Sequence, residues 1–249
     1  MTSKWPHLSN APITEAIIEF QFNDAKNSAI DSIRNASKLL ESEYPIEQEK
    51  KSQVIRAVIN DDTPSTEYID EGIVGFVRRS EDGKKVIQFM LDRFAFSYLP
   101  PYPNWDVLEE KAVGVWDIYQ KEMGIKFIKR IGVRFINRIE IDLPMTDLED
   151  YLSSPPIIPD ELPQAIMEFD QRVVLPNREI EAVAIINQSG GAVSSEKGVA
   201  SVILDIDVGK SGKFETSKES ILTILQSLHE YKNDIFFRFI KPKALEKYK

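Results

Sequence analysis

A run of β-branched residues that carries three evenly spaced arginines constrains this chain more than any other segment. Residues 130–139 have the sequence RIGVRFINRI, in which Arg130, Arg134 and Arg138 are four positions apart. Side chains alternate between the two faces of a strand, so the arginines share one face and an apolar row, interrupted by Asn137, shares the other. The same spacing fits one face of a helix, but the density of β-branched residues favours a strand.

Composition and charge limit the classes of function. The chain has 249 residues, of which 42% are hydrophobic and 29% are charged, as in a globular protein with a sizeable core. Its net charge of −9 disfavours general nucleic-acid binding, because an acidic surface repels a phosphate backbone. The absence of cysteine excludes disulfides, thiolate nucleophiles and cysteine-held metal centres. No signal-peptide pattern or bilayer-spanning apolar run occurs, which predicts a cytoplasmic protein with no membrane partner.

Hydrophobic periodicity predicts a regular series of strands and helices. Alternating apolar residues predict further strands at 14–22, 53–60, 72–79, 84–91, 93–98, 166–175, 180–187 and 199–208. Apolar residues at three- and four-residue spacing predict helices that begin near Asn27 or Ser28, extend from Asn104 to Met123, begin at Ser217, and cover 234–249 with an interruption at Pro242.

A proline-rich stretch divides the chain. Five prolines at 144–163 predict a stiff connector between residues 1–143 and residues 164–249. We therefore predict an α+β fold of two packed halves, each an antiparallel sheet with a long amphipathic helix on one face. The small polar residues of 188–198 predict a mobile loop that acts either as a lid or as a simple hairpin tip.

The arginine stripe has two interpretations. Guanidinium groups match carboxylates and phosphates, so the stripe could bind an anion or an acidic peptide. Alternatively, carboxylates of the protein itself, such as Glu15 and Glu19, neutralise it.

The aromatic turn before the long helix also has two interpretations. Tyr102 and Trp105 either form a stacking wall of a ligand pocket or pack in the core where strand meets helix. We predict that the ligand- or partner-binding face consists of Arg130, Arg134, Arg138, Tyr102 and Trp105.

Motifs for catalysis or metal binding are weak or incomplete. Asp205 and Asp207 share a strand face and could hold Mg²⁺, but two aspartates are equally typical of the wet side of a sheet. Residues 209–212 (GKSG) match only the end of a phosphate-binding loop. Neither His7 nor His229 lies in a zinc-protease or nucleophile-elbow pattern. We predict no cofactor, no metal and no catalytic residue, and carboxylate-pair hydrolysis is the enzymatic route left open.

Several motifs in a fixed order resemble a known family. They are NAPITEAI at 10–17, QF at 88–89, PYPNW at 101–105, WDIY at 116–119 and RIGVRFINRI at 130–139. Together they resemble a sporadically distributed prokaryotic family of proteins of similar length with no assigned activity. The patchy distribution of that family is like that of accessory genes in anti-phage defence or toxin–antitoxin-like modules. The resemblance implies no catalytic residues.

These observations predict a non-catalytic binding or scaffold protein, an accessory or inhibitory component of a defence or toxin–antitoxin-like module. Its acidic surface suits a basic protein partner, and both a small anionic ligand and a homo-oligomer stay open. One alternative is a hydrolase of a phosphate-bearing small molecule, which requires a cavity with at least two carboxylates near the arginines. A second alternative is a holdase-like chaperone with an apolar groove for extended peptides.

Overall fold

A computed structural model describes residues 4–6, 8–22, 30–60, 63–145, 147–194 and 198–249. Its strands are β1 (Ile13–Gln21), β2 (Ile46–Asn60), β3 (Thr63–Arg79), β4 (Lys85–Met90), β5 (Arg93–Tyr98), β6 (Phe127–Asp142), β7 (Phe169–Asn177), β8 (Ala182–Ser194) and β9 (Val199–Glu215). Its helices are α1 (Ile30–Lys38), α2 (Trp105–Met123), α3 (Lys218–Phe239) and the short α4 (Pro242–Leu245). The caps predicted for α1, Asn27 and Ser28, lie outside the described residues.

The strands form one antiparallel sheet in the order β2-β3-β4-β5-β1-β6-β9-β8-β7. The fold is therefore mixed α+β, as predicted, but the strands of both predicted halves lie in a single sheet. The long ladder between β6 and β9 joins them. That pairing satisfies the backbone donors and acceptors that two separate sheets would leave at their edges.

The long helices pack on one face of this sheet. Helix α2 begins where Asn104 Oδ1 accepts a hydrogen bond from the Val107 N–H (2.9 Å) and ends at Gly124, whose φ is 63°. Its buried Trp116 contacts Phe20 of β1, with ring centroids 4.8 Å apart. Helix α3 covers β9 and β6 on the same face. We call this the helix-covered face and the opposite one the arginine face.

Two predictions near the C-terminus need correction. Residues 188–194, which the sequence predicts to be part of a mobile loop, belong to β8. The glycines at 190 and 191 mark a β-bulge and not a loop. Gly191 has a φ of 136°, and the pairing of β8 with β9 shifts between Gly190 and Ala192. The helix predicted to begin at Asp234 is the last part of α3, because the buried stripe of α3 continues through Ile235 and Phe236 and Pro242 starts only the short α4.

The proline-rich connector packs against the end of α3. The Ser153 N–H donates to the Phe239 carbonyl oxygen (2.9 Å), and the Lys241 N–H donates to the Tyr151 carbonyl oxygen (2.8 Å). A short 3-10 turn, Leu148–Asp150, is its only helical element among the described residues. None of the described helices combines the length and apolar character needed to span a bilayer.

Candidate functional site

The arginine stripe lies on β6, as the alternation predicts, and carboxylates of neighbouring strands neutralise two of its members. Arg130 contacts Glu19 of β1 (3.2 Å) and Asp207 of β9 (2.6 Å). Its guanidinium also lies across Gly132 and Gly209, where a Cβ would approach it to 2.3 Å and 2.4 Å. These two glycines therefore leave the space that the ion pair occupies.

Arg134 and Arg138 differ in their partners. Arg134 donates two parallel hydrogen bonds to Asp205, of 2.8 Å and 2.7 Å, and this carboxylate raises the pKa of the guanidinium. Arg138 is exposed and donates from Nε to the Ser201 hydroxyl (3.1 Å). Arg138 lines a cavity on the arginine face, together with Glu168. Asp205 and Asp207, considered above as cation ligands, are thus engaged by arginines.

Tyr102 and Trp105 lie on the other side of the sheet from the arginines. Their rings surround Phe135, with centroids 5.7 Å and 6.5 Å from it, on the helix-covered face. Phe135 follows Arg134 in β6, so their side chains point in opposite directions. The structure therefore does not bring the five predicted site residues together on one face.

Tyr102 and Trp105 instead line a cavity of about 350 Å³, which we call the aromatic cavity. It lies between the N-terminal segment, β6, the start of α2, and α3. Its aromatic walls are Trp5, Tyr102, Trp105, Phe236 and Phe237. Its polar lining comprises Ser9, Asn104, Asp106, Asn137, His229, Lys232 and Asn233.

A buried lysine is the most unusual group in this lining. Lys232 is 6% exposed, because it lies on the apolar stripe of α3 between Leu228 and Phe236. Its Nζ is 3.8 Å from the centroid of the Phe135 ring and donates to Asn233 Oδ1 at 2.5 Å. No carboxylate of the described residues forms an ion pair with it. Burial lowers the pKa of Lys232 from 10.5 to about 7.

A neutral histidine adjoins this lysine. The His229 ring stacks on Trp105 with centroids 4.0 Å apart and planes 3° from parallel. Burial, and secondarily the charge of Lys232, lower the pKa of His229 to about 2. Its Nε2 lies 3.2 Å from Asn233 Nδ2. Because Asn233 Oδ1 accepts from Lys232, its Nδ2 donates to Nε2, which places the histidine proton on Nδ1.

One residue of the lining carries a hydroxyl without a hydrogen-bond partner among the described residues. Tyr102 Oη is buried and forms no hydrogen bond to any described residue, and burial raises its pKa well above the ordinary value. By contrast, Asn137 Nδ2 donates to the carbonyl oxygens of Phe135 (3.2 Å) and Leu204 (3.0 Å), which makes it a satisfied structural amide. A buried polar group without a partner costs free energy, so a hydrogen bond to the Tyr102 hydroxyl would stabilise the folded protein.

Sequence reasoning passed over Lys232, although a signal was present. The apolar residues of α3 recur at helical spacing, and Lys232 falls four residues after Leu228 and four before Phe236. A lysine within an apolar stripe is rarely fully buried without a partner, which makes such a position informative.

Comparison with known proteins adds no relative. No family model matches the chain, and no curated protein is significantly similar to it.

Proposed function

We propose that this chain is a non-catalytic binding protein, and that the aromatic cavity takes a small ligand with a flat ring and a hydrogen-bond acceptor. The enclosed Lys232 amine, for which the described residues provide no carboxylate, is the observation that carries the proposal. A ligand acceptor at that point would supply the missing partner of a buried cation.

The walls support the flat ring. Trp5 stacks on Phe237 with centroids 5.0 Å apart, and Trp105 stacks on His229, so rigid aromatic faces line the cavity. A volume of about 350 Å³ suits a molecule of one or two rings, because small-molecule sites range from about 300 to 1,000 Å³. Aromatic surfaces favour offset-stacked or edge-to-face packing with such a ring.

The polar lining supports the acceptor. Lys232 and Tyr102 both line the cavity, and the Lys232 amine and the Tyr102 ring both contact the Phe135 ring. A carboxylate, phosphate or carbonyl oxygen between them would accept a hydrogen bond from each. Because His229 is neutral, Lys232 is the one described residue of the lining whose protonated form supplies a cation near pH 7.

The position of the cavity supports a binding role for the two predicted halves. Helix α2 of the first half and α3 of the second contribute its walls. We propose that the two halves hold the ligand between them. We also propose, as the resemblance implies, a cytoplasmic accessory or inhibitory role with a basic protein partner, which the net charge of −9 supports.

The cavities give no support to the alternative of a hydrolase. Such an enzyme requires two carboxylates near the arginines. Among the described residues, the cavity beside Arg138 is lined by one carboxylate, Glu168, and the aromatic cavity by one, Asp106. We therefore favour binding over hydrolysis.

A series of aromatic and aliphatic acids tests the proposal. We expect benzoate and indole-carboxylate to bind, by calorimetry and by NMR shifts of the tryptophan indoles, while acetate does not. Lys232→Met should abolish this binding and Tyr102→Phe should weaken it, because each removes a donor from the cavity.

A substitution on the arginine face controls for the loss of one positive charge. Arg134→Ala removes a cation elsewhere and should leave the affinity for benzoate unchanged. Loss of binding in Arg134→Ala with retention in Lys232→Met would contradict the proposal and move the site to the arginine face.

A further inference from the structure

We propose that Lys232 captures aldehydes or ketones covalently, by condensing with the carbonyl group of a ring-bearing ligand in the aromatic cavity to form an imine. This inference rests on the proposed function, because the cavity must first bind the ring. It narrows the ligand class from any hydrogen-bond acceptor to a carbonyl compound.

The geometry presents the amine as a nucleophile. Lys232 lines the cavity, and its Nζ lies 3.8 Å from the Phe135 ring centroid. Among the described residues, the Nζ donates one hydrogen bond, to the Asn233 amide oxygen. An amide oxygen is a weaker partner for an ammonium group than a carboxylate is. Burial then disfavours the charged form, so a large fraction of the amine is neutral near pH 7 and its lone pair is available.

The condensation balances without any further reagent. The nitrogen lone pair attacks the carbonyl carbon, and the carbonyl π electrons move to the oxygen. The oxygen takes up the proton that the nitrogen loses, which gives a carbinolamine. The nitrogen lone pair then forms the C=N bond as the C–O bond breaks. The remaining N–H proton passes to the departing oxygen, which leaves as water. One amine and one carbonyl thus give one imine and one water, with no oxidant or reductant.

The Tyr102 hydroxyl assists the proposed reaction. Its Oη lacks a partner among the described residues, and its ring contacts the same Phe135 that lies beneath the lysine. Burial keeps the phenol protonated, so it donates a hydrogen bond to the carbonyl and carbinolamine oxygens. The water-poor aromatic walls slow the reverse hydrolysis of the imine.

Exposed lysines lack this arrangement. Lys121 is paired with Asp117 at 2.6 Å and Lys243 with Asp150 at 2.7 Å, and both are solvent-exposed. The carboxylate of Asp150 raises the pKa of Lys243, so its amine is protonated at neutral pH. Selectivity for Lys232 at pH 7 is therefore the distinguishing expectation.

Few ionisable groups surround Lys232. In the described lining, Tyr102 and Asp106 come from the start of α2 and His229 from α3, whereas β6 and the N-terminal segment contribute uncharged side chains. Neither His229 nor Tyr102 changes charge near neutral pH. The pH profile of the reaction therefore reports on Lys232 itself.

Reductive trapping tests the inference. We expect benzaldehyde with cyanoborohydride at pH 7 to add one benzyl group per chain, located at Lys232 by peptide mass spectrometry. The labelling rate should rise with a midpoint near pH 7, whereas an exposed lysine would give a midpoint above pH 10. Tyr102→Phe should slow labelling by about tenfold or more.

Two controls make the result decisive. Lys232→Met should lose the label, while Lys243→Met should keep it. Excess benzoate should protect Lys232 of the unaltered protein, which tests the site without relying on any variant.

The outcomes separate the two proposals. Benzoate binding that depends on Lys232, together with no trapping at this residue, would overturn the imine and leave the binding function intact. Labelling spread over exposed lysines without preference would also overturn the imine. Failure of both benzoate binding and trapping would overturn both proposals.

Discussion

Replacing Lys232 with methionine should stabilise the protein at neutral pH. The folded state forces an amine with an ordinary pKa of 10.5 into surroundings that lower its pKa to about 7, whereas the unfolded chain keeps it in water. Methionine has a similar length and no charge, so it fills the same space without the desolvation cost.

The magnitude follows from the pKa difference between the unfolded and the folded protein. The change from 10.5 to about 7 corresponds to about 5 kcal/mol of destabilisation where the lysine is protonated in both states, at about 1.4 kcal/mol per pKa unit. Most of this destabilisation is still present at pH 7. We therefore expect the Lys232→Met variant to gain on the order of 4 kcal/mol in unfolding free energy at pH 7.

The gain should disappear as the pH rises. Between pH 7 and 10.5 the unfolded chain holds the lysine proton and the folded protein does not, so the stability of the unaltered protein increases with pH. The methionine variant lacks this increase. Urea unfolding at several values between pH 6 and pH 10 should show the difference between the two proteins shrinking steadily.

Lys243→Met is the matched control. Lys243 is exposed and paired with Asp150, so its replacement should change stability little and equally across the same pH range. A Lys232→Met protein that is less stable at pH 7, or whose difference from the unaltered protein does not vary with pH, would refute the reasoning.

Two further predictions concern the sheet. Arg134→Ala should lower the unfolding free energy by about 1 kcal/mol, since about half of the side chain is exposed and its charge is screened by solvent. In a double-mutant cycle, Arg134→Ala together with Asp205→Ala should cost less than the sum of the two single substitutions. Strictly additive effects would show that the two side chains do not interact. Gly75→Ala should lower the free energy of chemical unfolding by about 2 kcal/mol or more, because its Cβ would lie 2.2 Å from the Phe89 carbonyl oxygen. Gly114→Ala in α2, where the space around the glycine is open, should instead raise the free energy of unfolding by up to about 1 kcal/mol. Equal effects at the two glycines would contradict the close strand approach at Gly75.

Local signals explain why several elements were predictable. Asn104 and Gly124 delimit α2 through hydrogen bonds that span only a few residues, so their meaning is legible in the sequence. The alternation in β6 likewise predicts which of its side chains are buried, and Phe135 is buried while Arg134 is not. The bulge at Gly191 was mistaken for a loop, because a glycine pair signals a turn and a bulge equally well.

The candidate site was less predictable, because its members come from distant parts of the chain. Tyr102 and Trp105 were identified as a stacking wall or a core contact, and they line a cavity. The sequence offered no reason to join them with Lys232 of α3. Their shared neighbour is Phe135, and only the packing of α2 and α3 on one face of β6 brings the three together.

The sequence by itself determined most of the secondary structure and the sides of its strands and helices, since caps, turns and alternation act over a few residues. The tertiary structure decided which charges are neutralised and which are not. Arg134 finds Asp205 across 71 residues of chain, and Lys232 finds an aromatic ring instead of a carboxylate. Ion pairing and desolvation depend on neighbours in space, so identical lysines and arginines in the sequence acquire different chemistry only when strands and helices pack.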